Sequence, residues 1–339
     1  LKPSDILDFS ANINPLGLPH WFGECINMHL IDIKHYPDRD ARALVQAIAE
    51  SSGVPGERVV VGNGTTELIY ALPRATESPL AVIPSPAYSD YAAACRLAGV
   101  EVEQPLMREE EGFEADLEAL GHWLEKAPTN TLVFLGQPNN PTGLLNERGK
   151  LLDLVQKYPH VFFCIDEAFA DFIEEYQSLL EASFSNLIVF RSFTKFYAIP
   201  GLRLGWLAAI ESVAQKIRAL LPTWSVNTLA QAVGERACYD KEYGNNTRAY
   251  VRAAREELRS SLDEISGLTV YPGRANYLFA RIDHPTLRAG DLSAFLLHHA
   301  IAIRECESYV GLDDRFFRIA VRKHEENRLL ASRMKEFFS

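Results

Sequence analysis

Leu187-Ile188-Val189-Phe190-Arg191-Ser192-Phe193-Thr194-Lys195 is the stretch from which the fold is read. Residues 187–190 form a short, wholly apolar run, the pattern of a strand buried on both faces. A polar turn follows at once and ends on a lysine. Short apolar runs recur at residues 59–61, 80–83, 131–135, 161–165 and 204–208, several followed by a polar turn, with helical patterning at 65–71, 89–98 and 147–157 between. Buried strands alternating with helices predict an α/β layer around a mostly parallel sheet. Ligands of such sheets sit beyond the carboxyl ends of the strands, so residues just after each run carry the most weight.

Further out the pattern changes. From about residue 229 a charge-rich helical stretch covers 235–262, followed by strand-like runs at 268–271, 277–281 and 316–321. These predict a smaller α+β domain. In residues 8–38 the pairs Asn14-Pro15, Leu18-Pro19 and Tyr36-Pro37 each disfavour helix before the proline, so the segment reads as an extended arm. The expected division is 1–38 for the arm and part of the small domain, 39–230 for the large domain and 231–339 for the small one.

Composition narrows the function. The 339 residues carry a formal net charge of −11, which argues against nucleic acid and anionic membranes as partners. The five cysteines are scattered, with no C-x-x-C pair, which suggests reduced thiols, a cytoplasmic protein and no metal site. No apolar run is long enough to span a bilayer. The chain starts at Leu1 with no methionine, so an N-terminal piece is expected to be missing.

Four strand ends carry chemistry. Lys195, with Ser192 close before it and Arg203 after it, suits a cofactor bearing an aldehyde and a phosphate: the amine forms an imine, while hydroxyl and guanidinium grip phosphate. A lone lysine is far more often a solvated surface group; its company shifts the balance. Asp166, ending the run 161–165, can face a protonated ring nitrogen, although strand-ending aspartates are common at surfaces. Asn139-Asn140-Pro141-Thr142-Gly143 is at least a turn, and Asn140 can donate to a ring oxygen. Gly62-Asn63-Gly64-Thr65-Thr66-Glu67 opens a helix whose free N–H groups suit phosphate, the plainer reading being a cap at Thr65. Tyr88 can stack on a planar ring, though most tyrosines only pack.

These residues resemble the fold-type-I pyridoxal phosphate (PLP) enzymes of the class I/II aminotransferase superfamily, along nearly the whole chain. The resemblance implies the aspartate-aminotransferase-like fold: a large domain with a mostly parallel seven-stranded sheet and a smaller α+β domain. Residues 8–19 (DFSANINPLGLP), 194–205 (TKFYAIPGLRLG), 224–227 (WSVN) and 271–277 (YPGRANY) are most similar to the branch of L-threonine-O-3-phosphate decarboxylase, next to histidinol-phosphate aminotransferase. It implies roles residue by residue. Lys195 would hold PLP, Asp166 would face the pyridine nitrogen, Asn140 the ring oxygen and Tyr88 the ring. Gly64, Thr65, Thr66, Ser192 and Arg203 would cradle its phosphate. Tyr36 would reach the phosphate of a neighbouring subunit, implying a homodimer with shared sites. Arg322, Arg304, Asn140 and Asn14 would bind substrate. Phe169 stands where many aminotransferases carry a tyrosine, which leaves Asn140 more alone at the ring oxygen.

The expected reaction is decarboxylation of L-threonine O-3-phosphate to (R)-1-aminopropan-2-ol O-phosphate in cobalamin biosynthesis. Histidinol-phosphate transamination is the alternative, and a non-catalytic PLP-binding regulator domain a remote one. Substrate orientation decides among the reactions, set by remote charged groups.

Overall fold

The computed structural model describes residues 5–339. Its main sheet has seven strands in the order Val59–Asn63, Leu204–Ala208, Leu187–Ser192, Val161–Asp166, Thr131–Gly136, Leu80–Val82, Glu101–Glu103. Neighbours run parallel except Leu204–Ala208, which is antiparallel to both strands beside it. Alternation along each strand divides its side chains between two cores. Phe134 and Phe190 pack on one face with Leu68, Leu72 and Tyr91. Val133, Leu135 and Val189 pack on the other with Leu120, Leu151 and Val155. Every residue of Thr131–Gly136 is buried, as a strand covered by helices on both faces must be.

A second, antiparallel sheet of four strands joins Arg304–Glu305, Phe316–Ala320, Tyr277–Ile282 and Leu268–Val270. Helices Lys241–Asp263, Ala289–His298 and His324–Phe337 supply Leu258, Leu262, Leu292, Leu296 and Leu330 to the core beside it. The helical stretch expected over 235–262 is two helices, Thr228–Cys238 and Lys241–Asp263. Asp240 marks the break: its carboxylate caps the second helix by accepting from the Tyr243 N–H at 3.0 Å. Ala230, Val233 and Ala237 of the first helix pack with Leu44, Ile48 and Trp206, so this helix belongs to the large core and straddles the expected boundary at 230.

The arm differs from expectation over part of its length. Helix Phe22–His29 and a 3-10 turn at Leu30–Lys34 interrupt it, and its first four residues lie outside those described. At its start Leu7–Asp8 pairs in parallel with Ile301–Ala302, and Phe9 exchanges backbone bonds of 2.8 Å with Ala302 and Ala320. A few residues on, the Asn14 N–H donates to the Lys195 carbonyl at 3.1 Å. The arm thus bridges both cores beside the strand ends that carry the chemistry.

Candidate active site

Lys195 lies on the single helical turn Phe193–Phe196, directly after the Leu187–Ser192 strand. Asp166 ends the adjacent parallel strand, in register with Phe190, so acid and amine share the carboxyl edge of the sheet. Glu167 braces this edge from behind. It is fully buried and accepts from Arg191 at 2.9 Å, Ser178 at 2.6 Å, Tyr176 at 2.9 Å and the Leu179 N–H at 2.8 Å.

A cavity of about 330 Å³ opens over Lys195 and Asp166, walled by Thr65, Thr66, Tyr88, Tyr91, Asn140 and Phe169 on the large side. Ser10–Ile13 of the arm, Arg304 and Arg318 of the small sheet and Tyr309 of the loop between their strands close the other side. Burial pushes the Lys195 pKa down against the pull of Asp166, and Arg203 and Arg318 lower it further. Burial pushes Asp166 up, while the Tyr91 hydroxyl, the Ala168 N–H and Lys195 favour its charged form. Tyr91 donates to Asp166 Oδ2 at 2.5 Å and the Ala168 N–H to Oδ1 at 2.9 Å.

Tyr88 faces the cavity, with its ring edge-on to Tyr91 at 5.5 Å and its hydroxyl donating to Asp90 at 2.6 Å. Asn140 Oδ1 accepts from Arg318 and, at 3.4 Å, from the Tyr309 hydroxyl, so its Nδ2 remains as the donor. Phe169 brings no polar atom; its ring packs edge-on against Tyr277 at 5.1 Å.

The corner expected to take phosphate is built by two glycines. Gly64 has φ +76°, and a Cβ there would meet Arg203 Nη2 at 2.6 Å. A Cβ on Gly205 would stand 2.5 Å from the Thr65 nitrogen. Only glycines let the Leu204–Ala208 strand, the guanidinium and the start of helix Gly64–Ala75 come together. The opening N–H groups of that helix have no intrahelical partner, and Arg203 has no carboxylate partner among the described residues. Ser192 is buried and caps the Lys195 turn, bonded to Thr194 Oγ1 at 2.7 Å; it does not line the cavity.

Two expected substrate residues lie elsewhere. Arg322 sits past the end of the Phe316–Ala320 strand, pairs with Glu326 at 3.0 Å, donates to the Asp8 carbonyl at 3.1 Å and covers the Phe9 ring. It is Arg318, inside that strand, that reaches the cavity. Asn14 Nδ2 is spent on the Phe196 carbonyl at 2.7 Å, Tyr243 at 2.8 Å and Thr247 at 2.9 Å, anchoring the arm. Asn12, two residues earlier, is the arm asparagine on the cavity wall; it is 5% exposed and its Oδ1 has no partner. Arg304 does line the cavity and is directly opposite Arg318 across the antiparallel pair, so the two guanidinium groups are cross-strand neighbours. Tyr36 is 79% exposed and stacks on Trp224 at 4.6 Å, outside the chain's own cavity.

Tyr91, Tyr309, Arg318 and Asn12 are the site residues that motif reading passed over. Tyr91 carried a usable signal, one helical turn beyond Tyr88.

The chain belongs to the aminotransferase class I and II family, whose model matches residues 4–334. Within it the chain is 39% identical to the threonine-phosphate decarboxylase of Salmonella typhimurium, covering 98% of this chain and 91% of that protein. It is 36% identical to the adenosylcobalamin biosynthesis bifunctional protein CobDQ of Leptospira interrogans over 99% of its own length, spanning 39% of that larger protein. Among solved structures it is similar to the histidinol-phosphate aminotransferase of Clostridium acetobutylicum (TM-score 0.91, 27% identity, 98% and 99% coverage). It is likewise similar to the L-threonine-O-3-phosphate decarboxylase of Porphyromonas gingivalis (TM-score 0.87, 26% identity, 98% and 99% coverage).

Proposed function

We propose that this chain is a PLP-dependent decarboxylase of L-threonine O-3-phosphate that yields (R)-1-aminopropan-2-ol O-phosphate, a step of cobalamin biosynthesis. One observation carries the reading: the cross-strand pair Arg304 and Arg318 on the cavity that holds Lys195. Two adjacent guanidinium groups suit a substrate with two acid groups at opposite ends of a short skeleton. In a chain of net charge −11, such a local pair is what draws a polyanion in. The 39% identity to a threonine-phosphate decarboxylase supports the same reaction.

The residues fit PLP. Asp166 is a desolvated carboxylate awaiting a cation, Lys195 an amine with a depressed pKa, and the Gly64–Arg203 corner a cradle for phosphate. Bound there, PLP would supply an aldehyde for imine formation and a ring that accepts the electron pair of the breaking bond.

The chain's own groups do the rest. Asp166, held by Tyr91 and the Ala168 N–H, would keep a proton on the ring nitrogen. Asn140 would donate from Nδ2 to the ring oxygen, its Oδ1 being fixed by Arg318. Arg318 and Arg304 would hold the two acid groups and so orient the substrate for loss of its carboxylate. Lys195 Nζ would return a proton to Cα after carbon dioxide leaves. Phe169 adds no second donor near the ring oxygen.

The chain would work as a homodimer in the cytoplasm. Met28, Ile31, Ile33 and Tyr36 expose apolar surface together along the arm, a surface suited to a second copy. In that assembly Tyr36 would reach the partner's cavity. All five cysteines are free, and no helix among the described residues is long and apolar enough to cross a membrane.

The backbone match to a histidinol-phosphate aminotransferase, TM-score 0.91, favours one second reading, transamination of histidinol phosphate. The test runs both reactions on PLP-loaded protein. Carbon dioxide from L-threonine phosphate, with no glutamate from histidinol phosphate plus oxoglutarate, is the expected result; the reverse pattern overturns it.

A further inference from the structure

Three phenols line the cavity, and two are already committed. Tyr88 donates to Asp90 at 2.6 Å and Tyr91 to Asp166 at 2.5 Å. Tyr309 differs: its one partner is Asn140 Oδ1 at 3.4 Å, the outer edge of a hydrogen bond. Its ring is fixed all the same. It is 9% exposed and packs with Phe113, Phe279, Cys306 and Phe316, in a loop closed by the Tyr309 N–H to the Cys306 carbonyl at 3.0 Å and the Leu312 N–H to the Tyr309 carbonyl at 3.1 Å. A rigid ring therefore presents a weakly held O–H to the cavity, beside Arg318.

The two donors converge. Arg318 Nη1 and the Tyr309 hydroxyl both point at one oxygen, Asn140 Oδ1. Arg318 has its other terminal nitrogen on the Ser10 carbonyl at 2.9 Å, so its in-chain bonds leave it short of a free two-pronged face. An anionic oxygen entering beside Asn140 meets a charged N–H from one side and a neutral O–H from the other.

We infer that the Tyr309 hydroxyl is a substrate contact: with Arg318 it grips the substrate carboxylate and fixes the direction of the bond that breaks. The inference rests on the function proposed above. Tyr309 adds no charge, so it steers the carboxylate by direction. No proton needs to leave Tyr309; its O–H turns from Asn140 to the substrate.

The product separates a contact from a packing role, because aminopropanol phosphate keeps the amine and the phosphate but has lost the carboxylate. Tyr309→Phe keeps the ring in its cluster. L-threonine phosphate binding is read as KM where the PLP-loaded protein turns it over, and by calorimetric titration where it does not. In the variant it should weaken by about tenfold or more, the loss expected for a hydrogen bond to a charged group. Aminopropanol phosphate, titrated by calorimetry, should change less than twofold, and the visible band of the bound cofactor should not shift. Equal weakening of both ligands, or no weakening of either, overturns the inference. If the unsubstituted chain binds threonine phosphate without releasing carbon dioxide, the decarboxylase reading falls, while the binding comparison still decides the role of Tyr309.

Discussion

Tyr91 donates its hydroxyl to Asp166 Oδ2 at 2.5 Å, from a ring stacked on Phe134 at 5.0 Å. The bond offsets the burial that raises the Asp166 pKa, so losing it leaves that carboxyl harder to ionise. A raised acid is charged only above its pKa, so activity should rise as pH climbs through it. Tyr91→Phe should move that acid limb of kcat to higher pH and lower cofactor affinity by about tenfold. An acid limb that stays in place would show that Tyr91 does not tune Asp166.

Lys195 should be the residue that captures PLP. Burial lowers its pKa from 10.5, so at a given pH it is neutral more often than an exposed lysine. Reduction of the loaded protein with borohydride should label the peptide holding Lys195. The extent of capture should rise with pH and level off below 10.5. Lys195→Ala should abolish both label and visible band; a band that survives removes the centre of the proposed site.

The two arginines at the end of the small sheet should separate cleanly. Arg318→Lys keeps the charge but loses the fork that reaches Asn140 and Ser10, and should cost about 100-fold in kcat/KM. Arg322→Lys loosens a partly exposed pairing with Glu326 and cover over Phe9, and should cost no more than about 1 kcal/mol of stability with activity kept. Steady-state kinetics and thermal melts on both variants decide it; the reverse pattern would restore Arg322 to the site.

Gly64→Ala should push the Arg203 guanidinium aside, since the new methyl would lie 2.6 Å from Nη2 and the residue would keep φ at +76°. PLP affinity should fall by at least about tenfold, given strain of about 1–3 kcal/mol at such a position. Pyridoxal, which lacks the phosphate, should bind the variant as it binds the parent. If both ligands weaken alike, the glycine serves the fold and not the phosphate corner.

The sheet was legible because six of its seven strands are continuous apolar runs, several of them ended by polar turns. The seventh, Glu101–Glu103, carries charge at both ends on an exposed edge and gives no such signal. Helix Phe22–His29 was hidden for another reason. Phe22, Cys25 and Ile26 lean on the large core but none of its residues is fully buried, so the apolar stripe is short and weak beside the prolines that flank it. At the site, motifs gave Lys195, Asp166, Asn140 and Tyr88, which sit at strand ends or opening turns where local sequence sets position. Arg318 was missed for Arg322 because both lie near the end of one strand. Only the pairing of Arg318 with Arg304 across the sheet shows which of them faces the cavity. Tyr309 and Asn12 reach the site through packing distant in sequence, which no local pattern records.

The arm's two anchors set a mechanical limit. Phe9 is bonded to the small sheet and Asn14 to the Lys195 turn, and only residues 10–13 lie between them. A stretch this short spans roughly 17 Å when fully drawn out. Any swing of the small unit away from the large one is therefore checked by a leash that ends on the carbonyl of Lys195. Travel of the substrate-binding arginines and the setting of the reactive amine become one motion, transmitted through the backbone itself.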